Sequence, residues 1–160
     1  MAQIAPPFLR MPDIHLDQVV FVCEGDLWIG SIESGQAIRL TRDAGQESYP
    51  RFSPDGKTIA FSAQYDGVEE IYTIPTSGGV PKRITYRHDY AQPLDWSADG
   101  KSILYRARSF PRSYGLYTIS ANGGPENQLK VEFAASASMS QSAEKVAFTR
   151  FNRWNDAWVR

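Results

Sequence analysis

One stretch of this sequence returns at a nearly constant interval, and this repetition limits the possible folds more than any other feature. Residues 52–61, FSPDGKTIAF, return 44 residues later as residues 96–105, WSADGKSILY. A more divergent copy begins 43 residues after that, at Met139. Internal periods of about 20–50 residues are typical of solenoids, propellers and other arrays of repeated units.

Two further landmarks follow the same interval. An apolar–aromatic pair recurs at Leu27-Trp28, Ile71-Tyr72, Leu116-Tyr117 and Ala157-Trp158. A closing triplet recurs at Arg39-Leu40-Thr41, Arg83-Ile84-Thr85 and Gln128-Leu129-Lys130. Because three landmarks keep one register, the sequence indicates a structural repeat.

Each repeat is expected to form four short antiparallel strands. Asp55-Gly56 and Asp99-Gly100 supply the positive-φ residues of a tight hairpin between the first two strands. Four strands in about 40–45 residues are typical of a propeller blade. An ordinary antiparallel meander or sandwich would explain the strands but not the constant interval. A helical solenoid is excluded because no apolar stripe of period 3.6 spans even three turns.

The sequence therefore predicts an all-β fold of β-propeller blades, three complete and a fourth cut short. The expected blades are residues 9–42, 47–86, 91–130 and, incomplete, 133–160. Propellers usually close with about four to eight blades, so we expect a segment of a longer protein; a half-propeller that dimerises is the alternative. At the open edge, Val146, Phe148 and Trp158 should be more exposed than their counterparts Ile59, Phe61 and Tyr72.

Composition and charge exclude several function classes. The net charge is -1, with 22% charged residues, so neither nucleic acid nor an anionic membrane is an expected partner. No apolar run approaches the ~20 residues of a membrane span. The first seven residues lack the features of a secretory signal, which favours a cytoplasmic location. Cys23 follows three apolar residues and is interpreted as a packed strand residue.

The sequence offers no catalytic or metal-binding constellation. A Gly-x-Ser-x-Gly elbow is absent. His15 and His88 are the only histidines, and neither shares a short motif with a serine or with the one cysteine. No zinc spacing is present, and Asp66-Gly67 is better interpreted as a hairpin than as a calcium loop. We therefore predict no catalytic residue, no metal and no cofactor in this chain.

One group of basic residues remains as a candidate site. In a blade, the loop from strand two to three and the loop from strand four to the next blade emerge on the same face. Guanidinium groups there could bind the carboxylate of a peptide in a bidentate way. A solvated loop face, or a face docked on the rest of the protein, is the alternative. The candidate peptide-binding residues are Arg87, His88, Arg106, Arg108 and Arg112.

Several of these motifs resemble a known family. The triplet Arg83-Ile84-Thr85, residues 53–61 and residues 71–74 are similar to the propeller repeat of TolB and its relatives. The opening run, Pro12 to Trp28, resembles the first blade of the six-bladed N-terminal propeller of tricorn-type proteases. The likeness covers nearly the whole chain from Leu9 onward.

The resemblance implies a function but no catalytic residue. Tricorn-type proteases are large cytoplasmic homo-oligomers that cleave short peptides, and their propellers act as gates and conduits for a distant serine-type catalytic domain. On this basis the chain is a noncatalytic segment whose partners are peptides or the remaining domains of the parent protein. A stand-alone TolB-like interaction module is the alternative. A prolyl oligopeptidase type of protein, with an α/β-hydrolase domain beside the propeller, is a third class.

Overall fold

The computed structural model describes residues 8–109, 113–140, 142 and 145–150, and these form four antiparallel sheets. Within that part of the chain no helix is long and apolar enough to cross a membrane. The strands of the first sheet are β1 (Arg10–His15), β2 (Gln18–Cys23), β3 (Asp26–Ser31) and β4 (Ala37–Arg39). Those of the second are β5 (Glu47–Phe52), β6 (Thr58–Ala63), β7 (Glu70–Pro75) and β8 (Lys82–Arg83). The remaining strands are β9 (Ala91–Trp96), β10 (Ser102–Ser109), β11 (Ser113–Ser120) and β12 (Asn127–Glu132) in the third sheet, and β13 (Ala134–Met139) and β14 (Val146–Arg150) in the fourth.

The second and third strands of the first three sheets share one register. An aromatic residue on the second strand faces an aromatic residue on the third in each sheet. The facing pairs are Phe21 with Trp28, Phe61 with Tyr72 and Tyr105 with Tyr117. Trp28, Tyr72 and Tyr117, the aromatic members of the recurring pairs, therefore occupy equivalent places on third strands, and Trp158 lies outside the described residues. The predicted fold class, β-propeller blades of four antiparallel strands, is confirmed.

A proline recurs in the first strand of each complete blade, at Pro12, Pro50 and Pro93. Each first strand is an edge of its sheet and carries a register shift. Proline lacks an amide N–H, so within sheets it is tolerated at edges and bulges. The first strands of consecutive sheets also contact one another, which places them on the inner side of the array.

The core lies between consecutive sheets. Val20, Leu27, Ile59 and Phe61 belong to a buried cluster shared by the first two sheets. Equivalent clusters lie between the second and third sheets and between the third sheet and β13–β14. Cys23 is buried, as expected of a packed strand residue. Apolar residues on both faces of the middle strands follow from this arrangement in the second and third sheets, because these two have a neighbour on either side.

The fourth sheet is less covered than the second. Phe148 is 39% exposed, whereas its counterpart Phe61 is fully buried, and Val146 is partly buried where Ile59 is fully buried. The expected difference in exposure is therefore confirmed for these two pairs.

Candidate functional site on the upper face

The antiparallel strand order defines two faces of the array. Loops from second to third strands and from each fourth strand to the next sheet emerge on one face, which we call the upper face. The hairpins between first and second strands, and between third and fourth strands, emerge on the opposite, lower face. Of the candidate peptide-binding residues, Arg87, His88, Arg106 and Arg108 belong to the loops and strands that face this side.

Arg87 connects the second and third sheets. Its Nη1 forms an ion pair with Glu126, and its Nη2 donates to the carbonyl oxygen of Arg108 at 2.8 Å. The guanidinium carbon lies 4.3 Å from the centre of the Tyr117 ring. Burial favours the neutral form, but the hydrogen bond and charge of Glu126 outweigh it and raise the pKa of Arg87. Arg87 is thus a fixed cation whose contacts lie within the protein.

Tyr105 shares the carboxylate of Glu126 with Arg87. Its hydroxyl donates to Glu126 Oε2. Burial, together with the hydrogen bond to Glu126, raises the pKa of Tyr105. The phenol therefore stays protonated and acts as a donor, which helps to fix the acid that holds Arg87.

Arg106 connects the third sheet to β13. Its Nη1 donates to the carbonyl oxygen of Ala135 at 2.6 Å, and its Nη2 donates to Gln92 Oε1 at 2.6 Å. The guanidinium also lies over the rings of Tyr90 and Tyr114, at 5.7 and 5.1 Å from their centres. Planar guanidinium groups stack on aromatic faces in this way. Arg106 therefore organises the inner part of the upper face.

His88 and Arg108 are the exposed members of the predicted set. His88 has a φ of 62°, and its backbone N–H donates to Glu70 Oε1 at 2.9 Å. The contact between Arg87 and the Arg108 carbonyl brings their two backbone segments together. Arg112 lies outside the described residues. Arg87 thus contacts the backbone of Arg108. Arg87 and Arg106 are fixed by contacts within the protein, whereas the side chains of His88 and Arg108 are exposed.

A buried group of side chains below this face, Glu70, Arg83 and Thr85, was not predicted from the sequence, and we call it the latch. Thr85 accepts from the Ile71 N–H at 2.9 Å and donates to Glu70 Oε2 at 2.5 Å. Arg83 Nη2 lies 3.0 Å from Glu70 Oε1. The Arg-x-Thr triplet and an acid directly before the apolar–aromatic pair were the available signal, since both are visible in the second repeat.

The first sheet divides these contacts between two acids, because Asp26, at the position of Glu70, pairs with Arg39, while Glu47 of the neighbouring sheet binds Thr41. Thr41 accepts from the Leu27 N–H at 2.9 Å and donates to Glu47, a residue of β5 in the second sheet. Glu47 also accepts from the Leu27 N–H at 2.7 Å and from the Tyr65 hydroxyl at 2.5 Å. Burial raises the pKa of Glu47, although these hydrogen bonds oppose the shift.

The described residues contain no group of three His, Cys, Asp or Glu side chains placed to hold a metal ion. His15 packs against Phe52, with ring centres 5.9 Å apart, and His88 uses its backbone to bind Glu70. The two histidines therefore have structural contacts on different elements.

Comparison with known proteins identifies the family. The model of the tricorn protease N-terminal β-propeller domain matches residues 6–160. Tricorn protease homolog 1 of Streptomyces coelicolor is 34% identical over 129 residues, which is 78% of this chain but only 12% of that protein. A crystal structure of the tricorn protease aligns with a TM-score of 0.69 and 26% identity, over 83% of this chain and 14% of the other. A TolB structure from Acinetobacter baumannii gives 0.78 and 24%, over 90% and 38%, which shows the shared fold. The chain belongs to the tricorn protease N-terminal β-propeller domain family.

Proposed function

We propose that this chain is a noncatalytic propeller segment that guides or gates peptides toward a catalytic domain located elsewhere in a tricorn-like serine peptidase. The observation that supports this most directly is the division of the upper face into fixed arginines and exposed side chains. Arg87 and Arg106 hold the surface in place, while Arg108 and His88 are exposed on it. The proposal includes a cytoplasmic, homo-oligomeric parent protein, in keeping with the family match.

The exposed guanidinium of Arg108 suits the free carboxylate of a short peptide. A guanidinium can donate two parallel hydrogen bonds to one carboxylate, so Arg108 is the expected primary contact. His88 adds a second donor on the same face. The internal contacts of Arg87 and Arg106 fix the backbone beneath them, which reduces the conformational entropy lost on binding. Tyr90 and Tyr114 offer aromatic surface to the side chains of such a peptide.

Binding of peptides that differ only at the C-terminus tests this role. A fluorescent tetrapeptide with a free carboxylate should bind more tightly than its C-terminal amide, as measured by fluorescence anisotropy at low salt. The double substitution Arg108→Ala with His88→Ala should remove this preference. Lys101→Ala is the matched control, because Lys101 is an exposed cation on the lower face. Equal affinity for the two peptides would contradict the proposal, as would a preference that survives the double substitution.

The same preparation tests the noncatalytic part of the proposal. Lacking a nucleophile, a base and oxyanion donors in one constellation, the purified chain should not hydrolyse fluorogenic di- to tetrapeptides. Hydrolysis that survives repurification and scales with the concentration of the chain would overturn this part.

A further inference from the structure

The inner edges of β5 and β9 are places where an extended peptide could add as a further strand. Each of these strands pairs with a second strand on one side only. The backbone groups on the other side of an edge strand offer a template for pairing with another chain. A peptide that the array guides along its inner side, as proposed above, would pass these edges. The partners of the edge N–H groups therefore decide how such a peptide is held.

On β5, the inner edge is occupied by side chains of the first sheet. The Phe52 N–H donates to Asp13 Oδ2 at 2.8 Å. The Tyr49 N–H donates to Met11 Sδ at 3.3 Å. Tyr49 has a φ of 52° and lies within a register shift of β5, and a bulge of this kind redirects a backbone group. Between these two donors, Pro50 has no N–H.

The remaining N–H groups of β5 are also accounted for. The Glu47 N–H donates to the Gly25 carbonyl of the first sheet at 2.8 Å. Ser48 and Arg51 are in register with residues of β6, and the alternation of an antiparallel ladder directs their N–H groups toward that strand. No N–H of β5 is therefore left for a strand that adds on the inner side.

The inner edge of β9 is closed by the same means. The Ala91 N–H donates to the Glu69 carbonyl of the second sheet at 2.9 Å, and Pro93 has no N–H. The Trp96 N–H donates to Asp95 Oδ1 of its own strand at 2.8 Å. Bound amides and proline thus replace the donors that an added strand would need.

One position of the repeat supplies a charged side chain to the inner edges. Asp13, Arg51 and Asp95 occupy this position, directly before the residue that pairs with Val19, Ile59 or Ile103. We call these three residues the inner ladder.

Each member of the inner ladder binds the backbone of the next first strand. Asp13 accepts from the Phe52 N–H, as described above. Arg51 Nε donates to the Leu94 carbonyl at 3.2 Å. Asp95 Oδ2 accepts from the Met139 N–H of β13 at 2.8 Å. The acids therefore occupy donors and the base occupies an acceptor.

We propose that the inner edges of β5 and β9 are closed to strand addition, so that a guided peptide is held by its side chains and termini and not by pairing of its backbone. The residues of the inner ladder are positioning residues for this surface, because they bind the backbone groups that an added strand requires. The proposal rests on the guiding role proposed above and is tested separately from it.

The first test uses the full chain and two labelled peptides, acetyl-Thr-Val-Thr-Val-Thr-amide and its analogue with both valine amides N-methylated. The blocked ends exclude the carboxylate contact proposed for the upper face. Threonine and valine favour extended strands, and N-methylation removes donors that strand addition needs. We expect neither peptide to show saturable binding to the parent chain in anisotropy titrations.

The double substitution Asp13→Ala with Pro50→Ala opens the edge of β5, because it frees the Phe52 N–H and restores a donor two residues before it. We expect this variant to bind the unmethylated peptide at least about ten-fold more tightly than the parent chain. N-methylation should remove the gain. Asp13→Asn is the matched control, since its amide oxygen can still accept from Phe52, and should behave like the parent chain.

Two outcomes of this titration would overturn the proposal. One is binding to the parent chain that N-methylation abolishes, which would show an open edge. The other is no gain in affinity for a double variant that circular dichroism shows to be folded.

A second measurement needs no variant and remains decisive if the double variant does not fold. The tetrapeptide with a free carboxylate should keep its affinity for the parent chain within about two-fold when its alternate amides are N-methylated. A loss of about ten-fold or more, as expected when backbone hydrogen bonds are removed, would overturn the closed edge. Loss of the carboxylate preference alone would contradict only the role of the upper face, and the pentapeptide titration of the parent chain would still decide this proposal.

Discussion

The junction between the first and second sheets and the junction between the second and third are built on the same repeat but are closed differently. In the first junction, Glu47 reaches from the second sheet to the Leu27 N–H of the first, and His15 covers Gly56. In the second junction, Ala91 stands at the position of Glu47, and the acid of the latch, Glu70, binds Thr85 and Arg83 of its own repeat.

This difference shows that the repeat specifies the backbone positions but not the source of each buried partner. Both latches satisfy the N–H of the second residue of a third strand, because a buried donor without an acceptor costs about 1–3 kcal/mol. Glu47 accepts from the Leu27 N–H directly and so couples two blades. Glu70 instead accepts from Thr85, and Thr85 accepts from the Ile71 N–H within one repeat. The second junction is coupled by other side chains, among them Arg87 with Glu126 and Ser62 with the Ala91 carbonyl.

Substitution of the two latch acids should have the largest effect on stability and should show how the two junctions differ. Glu47→Ala and Glu70→Ala should each destabilise the chain by about 2–5 kcal/mol, since each leaves buried donors without acceptors and opens a small cavity. Hydrogen exchange should distinguish them. Glu47→Ala should increase exchange throughout β1–β4, while Glu70→Ala should increase it mainly in β7 and β8.

The comparison would be wrong if both substitutions raised exchange in the same strands. Gln128→Ala provides a control, because Gln128 is exposed at the third-sheet position equivalent to Arg83. Exposed substitutions of this kind usually change stability by less than about 0.5 kcal/mol.

The sequence could predict the blades because their determinants are local and periodic. The Asp-Gly hairpins and the Phe61–Tyr72 type of pair recur at fixed intervals, so strand order and register follow from the repeat. The recurring prolines could also have identified the inner strands. The sources of the buried partners could not be predicted in this way, because Glu47 and Glu70 bind equivalent groups from different repeat positions. For the same reason, the contacts of Arg87 and Arg106 within the protein could not be predicted from the sequence, which shows only their charge.

Alanine at two equivalent glycines measures how tightly each junction is packed on the lower face. Gly56 and Gly100 have φ values of 67° and 68°, so the backbone strain of an alanine, about 1–2 kcal/mol, is the same at both. Gly56→Ala must in addition displace His15. It should therefore cost about 1–3 kcal/mol more than Gly100→Ala in urea unfolding, as expected of overpacking. In a His15→Ala background the two costs should become equal; if the gap persists, His15 does not close the first junction.

The pH dependence of stability tests whether Glu47 is buried at the first junction. Burial raises its pKa in the folded state above the ordinary value of 4.5, so folding favours the protonated form. Its contribution is complete below the pKa of the unfolded chain and is lost as the pH rises through the folded pKa. Relative to Glu47→Gln, the parent chain should therefore lose stability from acidic toward neutral pH. A constant difference between the two unfolding curves would contradict the raised pKa.

The smallest expected effects concern how the second junction is held at its two faces. Near the upper face, the fully buried Ser62 hydroxyl donates to the Ala91 carbonyl at 2.8 Å. On the lower face, the exposed Lys82 donates to the Asn122 carbonyl, and both residues line an open cleft between the second and third sheets. Ser62→Ala should cost about 1 kcal/mol, because it leaves a buried acceptor with one partner fewer. Lys82→Met should cost less than about 0.5 kcal/mol, because water replaces an exposed hydrogen bond at little loss. Urea unfolding of both variants measures the ratio. A larger loss of stability for Lys82→Met than for Ser62→Ala would show that the contact between Lys82 and Asn122 holds this junction together. The contrast between a closed upper face and an open lower face would then be wrong.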